Sequence, residues 1–153
     1  MSTITPFLWF EDQAEEAMHH YLSIFRNSKT ISVSKAGGQV TAVTFELDGQ
    51  RFIALNAGPH HKFNEAVSFF ISCETQDEID YYWTRLTAAG GSESQCGWLK
   101  DRFGVSWQVV PTVLGSLMSD PNPQKARATV DAMLTMKKLV IADLKKAHDR
   151  QDA

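Results

Sequence analysis

The chain has 153 residues, 43% of them hydrophobic and 22% charged, the composition of one ordinary globular domain with a core of its own. A formal charge of −3 with no basic stripe argues against nucleic acid as a partner, and no apolar run approaches the ~20 residues that a membrane span requires. Met1 to Pro6 carries neither a positive segment nor a long apolar one, so a cytoplasmic protein is expected, with Cys73 and Cys96 as reduced thiols rather than a close-spaced metal pair.

Thr3 to Phe10 is rich in aromatic and β-branched residues and predicts a first strand. Asp12, with Glu15 three residues on, reads as a capping box. Ala14, Ala17, Met18, Tyr21, Leu22 and Phe25 then fall on one face of a helix that Asn27 can stop. Ile31 to Ser34 and Val40 to Leu47 alternate like half-buried strands on either side of Gly37-Gly38. Asp48-Gly49 is a hairpin turn, and Arg51 to Asn56 returns as a fourth strand.

The second half begins the same way. Ala66 to Cys73 predicts a strand, Thr75-Gln76-Asp77-Glu78 a capping box, and Ile79, Tyr82, Trp83 and Leu86 the apolar face of a helix ending at Gly90-Gly91. Gly97 to Arg102 and Val105 to Val110 form a last hairpin, with a turn from Asp101 to Gly104, and Pro111 closes it. Shifting the first half by 63 positions lays Phe7 on Phe70, Glu11 on Glu74, Gln13 on Gln76 and Glu15 on Glu78, so a weak sequence repeat coincides with a repeat of element order. Beyond Pro121-Asn122-Pro123, residues 124 to 148 predict one long helix. Its broad face of Ala126, Val130, Met133, Leu134, Lys137, Val140, Ile141 and Leu144 must be buried on the chain's own sheet or on a second copy.

These elements predict an α+β protein in a single domain, 1–153. Duplicated βαβββ modules, about 3–57 and about 66–111, form a curved mixed sheet around a cleft, with a C-terminal helix over about 124–148. Such clefts take small molecules.

Three segments carry a resemblance to a known family. Asp101-Arg102-Phe103-Gly104-Val105-Ser106-Trp107-Gln108 resembles the terminal hairpin of PhnB-like proteins, the 3-demethylubiquinone-9 3-methyltransferase-like family of the glyoxalase/bleomycin-resistance/extradiol-dioxygenase (vicinal oxygen chelate) superfamily. Ile4-Thr5-Pro6-Phe7-Leu8-Trp9-Phe10 with Ala14-Glu15-Glu16-Ala17 is similar to the family's start, and Ala132 to Leu139 with Ile141-Ala142 to its tail. The resemblance spans about Ile4 to Ala147. It implies four metal-ligand positions on strands one, four, five and eight, which fall near Thr5, Ala54, Ser68 and Gln108. Of these only Gln108 is a ligand type, and a neutral amide is a poor one for a divalent ion. The reading is therefore of a protein without a bound metal or other cofactor. The methyl transfer in the family's name would need a Gly-rich strand-to-helix loop, and none is present.

Strand alternation proposes the lining of the cleft. If Thr5 faces it, so do Phe7 and Trp9, and the same logic adds Phe52 and Asn56, Ser68, Phe70 and Ser72, and Ser106 and Gln108. Trp98 and Lys100 frame the rim. Phe7, Trp9, Asn56, Ser68, Phe70, Trp98 and Gln108 are thus the expected ligand-binding residues, with plain core as the competing reading for Phe7, Phe52 and Phe70, in a surface suited to a flat, uncharged or weakly polar molecule. No catalytic residue is assigned. His19 and His20 diverge by about 100° on a helix and cannot share a metal, while His60-His61 read as an exposed polar loop, with a base or gate as the alternative. The expected function is small-molecule binding or sequestration by a homodimer. The alternative is an enzyme acting on a small aromatic, quinone-like or carbonyl substrate.

Overall fold

A computed structural model describes residues Ser2 to Arg150. The chain divides into two compact units, Met1–Lys62 and Phe63–Ala153. The first holds β1 (Phe7–Phe10), α1 (Ala14–Ile24), β2 (Ser28–Ala36), β3 (Gln39–Leu47) and β4 (Gln50–Asn56). The second holds β5 (Ser68–Cys73), α2 (Gln76–Thr87), β6 (Ser92–Glu93), β7 (Trp98–Lys100) and β8 (Ser106–Pro111), followed by α3 (Val113–Met118), α4 (Pro123–Leu134) and α5 (Ile141–Asp149). The α+β class and the duplicated β-α-β-β-β order both hold. Each module makes a four-stranded mixed sheet, ordered β1-β4-β3-β2 and β5-β8-β7-β6, in which the first strand pairs parallel with the fourth and the other pairs are antiparallel.

Each sheet buries one face under its own helix. In the first module Leu8, Phe10, Val43, Phe45, Phe52 and Ala54 share that face, with Met18 and Tyr21 of α1 fully buried. In the second, Cys73, Leu99, Trp107 and Val109 play the same part for Ile79, Trp83 and Leu86 of α2. Burial pushes the Cys73 thiol up to about 12, so it stays a neutral core group.

The two helix starts differ. Thr75 caps α2 as its sequence predicts, its hydroxyl accepting from the Glu78 amide at 3.2 Å. The Asp12 box does not form: α1 has Gln13 at its N-cap without a side-chain bond. The first helical amide, Ala14 N–H, instead donates to Asn56 Oδ1 of β4 at 2.8 Å. Asp48 and Gly49 both take positive φ, as the predicted hairpin turn requires.

The expected C-terminal helix is broken. α4 ends at Leu134 and α5 starts at Ile141, and the chain between them serves as a hydrogen-bonding edge. Met136 C=O accepts from Cys96 N–H and Lys137 C=O from Gly97 N–H, both at 2.8 Å. Gln76 of α2 clips the break, donating to Leu139 C=O at 3.0 Å and accepting from Ile141 N–H at 2.8 Å. Leu139 is fully buried, in a cluster with Val110, Leu114 and Leu144. A helix through 135–140 would lose these bonds and withdraw Leu139. Gly97 suits the close approach: at φ +85, any Cβ there would meet Val109 O at 2.8 Å.

Candidate functional site

The expected site residues part along strand register. In the first module Phe7 pairs with Ile53 and Trp9 with Leu55, so these four share the face of the sheet away from α1. Phe52 and Asn56 lie on the opposite, helix-covered face and do not join Phe7 and Trp9, because the parallel register puts the even-numbered residues of β4 beside Leu8 and Phe10. Phe52 is buried and stacked on Phe45 at 5.5 Å. Asn56 spends its amide within the fold, its Oδ1 on α1 and its Nδ2 on Val40 C=O at 3.2 Å. Trp9 donates its indole N–H to Gly58 C=O at 3.0 Å and meets the ring of His61 edge-on at 4.8 Å. Phe7 stands 56% exposed.

The second module does bring its expected residues together. Ser68, Phe70 and Ser72 of β5, Ser106 and Gln108 of β8, and Trp98 and Lys100 of β7 share the face away from α2. Above one end of this face lies a cavity of about 480 Å³. Phe70 and Trp98 line it from the sheet, and Leu114, Met118 and Met133 add apolar lining from α3 and α4. Ser72, Gln108, Thr112 and Cys96 contribute the polar atoms, and no charged side chain lines it. Gln108 donates through Nε2 to Ser68 Oγ at 3.0 Å, which fixes the amide and leaves Oε1 without a partner among the described residues. Cys96 takes φ +59, a strained conformation for a residue with a Cβ, and its N–H donates a hydrogen bond to Met136 C=O.

The α3–α4 wall was not foreseen as part of the site. Its sequence signal is Leu114, Leu117 and Met118 directly after Pro111, too short a run for periodicity to mark as a helix.

Beside this cavity, and also touching Trp98, is a second pocket of about 210 Å³. It is lined by Glu65, Ser92, Glu93, Ser94, Leu99, Lys100 and Ser106. Lys100 pairs with Glu65 of the preceding loop, and the ammonium holds that carboxyl below its usual range. Trp83 donates its indole N–H to Glu93 at 2.6 Å.

The Asp101 turn supports the strands that carry these residues. Asp101 is 2% exposed; its Oδ1 accepts from the amides of Phe103 and Val105 and its Oδ2 from the Trp107 indole at 2.9 Å. Arg102 stacks over Phe103 at 4.8 Å. Within the most recognisable motif of the chain, the Asp101 carboxylate is therefore a buried structural anchor with both oxygens bonded.

The donor set does not suit a divalent metal. Register puts Ile53, not Ala54, opposite Phe7, at the position that Gln108 holds opposite Phe70, and Ser68 and Gln108 are bonded to each other. Among the described residues no three of His, Cys, Asp and Glu converge. Nor do the loops from first strand to helix, Glu11 to Gln13 and Glu74-Thr75, hold the glycines of a nucleotide cradle. No helix among the described residues is long and apolar enough to cross a membrane.

Two β-α-β-β-β modules, each with its first strand parallel to its fourth, define a protein of the glyoxalase/bleomycin-resistance fold, in the vicinal oxygen chelate superfamily. Within it the chain belongs to the PhnB-like 3-demethylubiquinone-9 3-methyltransferase family, whose model matches residues 2–110. A putative 3-demethylubiquinone-9 3-methyltransferase, PhnB protein, from Bacillus cereus is 35% identical, with a TM-score of 0.66 over 72% of this chain and 100% of that one. Protein PA1353 from Pseudomonas aeruginosa (18% identity, TM-score 0.61, 72% of this chain and 98% of that one) shares the fold. So does the fosfomycin resistance protein FosX from Listeria monocytogenes, solved with Mn(II) and sulfate (14% identity, TM-score 0.53, 72% and 89%). No curated protein matches. The family match stops at residue 110, so α3, α4 and their cavity wall lie outside it.

Proposed function

We propose that the protein binds a small molecule with a flat, apolar body in the cavity of the second module. The observation that carries this is a space of about 480 Å³ lined by Phe70 and Trp98 of the sheet and by Leu114, Met118 and Met133 of the helices, with one amide oxygen, Gln108 Oε1, to which no partner is assigned among the described residues, to orient a donor on the ligand. Thioether side chains adapt their shape to such rings. The lining supports binding or sequestration over turnover, because no carboxylate, imidazole or ammonium group is part of it. Exposed Ile4, Phe7, Val67 and Phe70 support a homodimer, which native mass spectrometry reads directly.

Calorimetric titration with 2-naphthol as the probe tests the reading. One site per chain is expected, lost in Gly115→Phe. Gly115 lines the cavity, and a Cβ there meets nothing within 4 Å, so the new ring occupies the space without straining the helix. Absence of binding, or binding unchanged in Gly115→Phe, overturns it.

A further inference from the structure

The 210 Å³ pocket on the other side of Trp98 differs in kind from the cavity. Its floor is the cross-strand pair Lys100 and Ser106, directly opposed in the β7–β8 register and therefore neighbours on one face. Ser106 is 1% exposed, and its hydroxyl has no hydrogen-bond partner among the described residues. A buried hydroxyl left unpaired in a sheet otherwise well satisfied calls for an explanation. Lys100, the only cation of the pocket, is held by Glu65, whose side chain is 61% exposed on the loop before β5. So open an ion pair contributes little, and its carboxylate is readily displaced. Glu93 already accepts from Trp83.

We propose that this pocket is an oxyanion subsite in which Glu65 stands in for the carboxylate or phosphate of the ligand. An incoming acid group takes over the Lys100 ammonium, and its second oxygen accepts from Ser106, which supplies the missing partner. Trp98 borders both spaces, so one molecule can lay its ring against the Trp98 indole in the cavity and its acid group on Lys100. The inference rests on the cavity reading for the ring and names the ligand class as aromatic acids or their phosphate counterparts.

The test compares 2-naphthoate, 2-naphthyl phosphate and 2-naphthol by calorimetry, with inorganic phosphate and acetate titrated alone against the amide NMR signals of Lys100 and Ser106. At least one naphthyl acid is expected to bind about tenfold more tightly than 2-naphthol, and which one does so identifies the acid group. Lys100→Met should abolish that advantage, bringing both acids to the affinity that 2-naphthol has for the same variant, and Ser106→Ala should reduce it about threefold. Glu65→Gln should increase it, an effect that a merely structural ion pair would not produce. Equal binding of acids and 2-naphthol, or an advantage that survives Lys100→Met, overturns the subsite while the cavity reading stands. If 2-naphthol fails to bind yet phosphate or acetate moves the Lys100 and Ser106 signals only when Lys100 is present, the cavity reading falls and the subsite stands.

Discussion

The two modules share one topology and put it to different uses. At equivalent register positions the first has Ile53 where the second has Gln108, Trp9 where the second has Ser72, and Asn56 where the second has Pro111. In the first module the amide sits on the helix face and holds the start of α1. In the second it sits on the open face, anchored to Ser68 and facing a cavity that the appended helices complete. On the proposed reading, a duplicated frame lets one copy keep its polar side chain for stability while the other leaves its own available to a ligand.

The frame itself offers the sharpest way to break this contrast. Asp101→Ala strands the Trp107 indole N–H and two amides in the interior, and should destabilise the protein by about 3 kcal/mol or more in denaturant unfolding. Gln76→Ala releases the break between α4 and α5, with an expected loss of about 2 kcal/mol. Because that break carries the tether of Cys96 and the cavity wall, 2-naphthol affinity should fall as well. Gln108→Ile, which gives the second module the residue of the first, should leave the melting temperature nearly unchanged and weaken 2-naphthol about tenfold, about 1.4 kcal/mol. Asn56→Ala should do the reverse, costing about 1 kcal/mol of stability with no change in affinity.

The smallest effect concerns the C-terminal clamp. Both ring nitrogens of His148 face carboxylates, Nε2 at 2.8 Å from Asp120 and Nδ1 at 2.9 Å from Asp149, an arrangement that only the imidazolium satisfies with two donors. Those bonds, to Asp149 first and then Asp120, raise its pKa above 6.5 against the opposing effects of burial and of Lys125, and the Asn122 amide and His148 lower that of Asp120 below 3.8. A raised histidine pKa gives stability that is full below 6.5 and lost as pH rises through the folded value. A lowered aspartate pKa gives stability present above 3.8 and lost as pH falls through the folded value. Wild type should therefore lose a small increment of stability on the alkaline side of 6.5 that His148→Gln lacks, as melting curves across pH would show.

Much of this was legible in the sequence, and the rest failed for identifiable reasons. Alternation and turn chemistry found the modules, the Asp48-Gly49 hairpin and the Thr75 cap, because each is a local signal. The face of the second sheet was also readable, since Ser68, Phe70, Trp98 and Gln108 alternate in step. Asn56 was misplaced because parallel register is set by tertiary contact, and a one-residue slip exchanges the faces of a strand. The same slip put Ala54 where Ile53 belongs. The helix break was hidden because Met136 to Leu139 are good helix formers and no glycine or proline marks the break. Lys137 on an otherwise apolar face was the visible misfit, and it is exposed in the structure. Gln76 decides that region from 63 residues away, and no local pattern reports such a contact.

The central claim is that ligand binding belongs to the second module's cavity. An amide chemical-shift titration with 2-naphthol tests it most directly. The account predicts shifts concentrated at Phe70 to Ser72, Cys96 to Trp98, Gln108 to Met118 and Met133, with Phe7, Trp9 and Ile53 unmoved. Shifts centred on Phe7 and Trp9, or none at saturating probe, would contradict it.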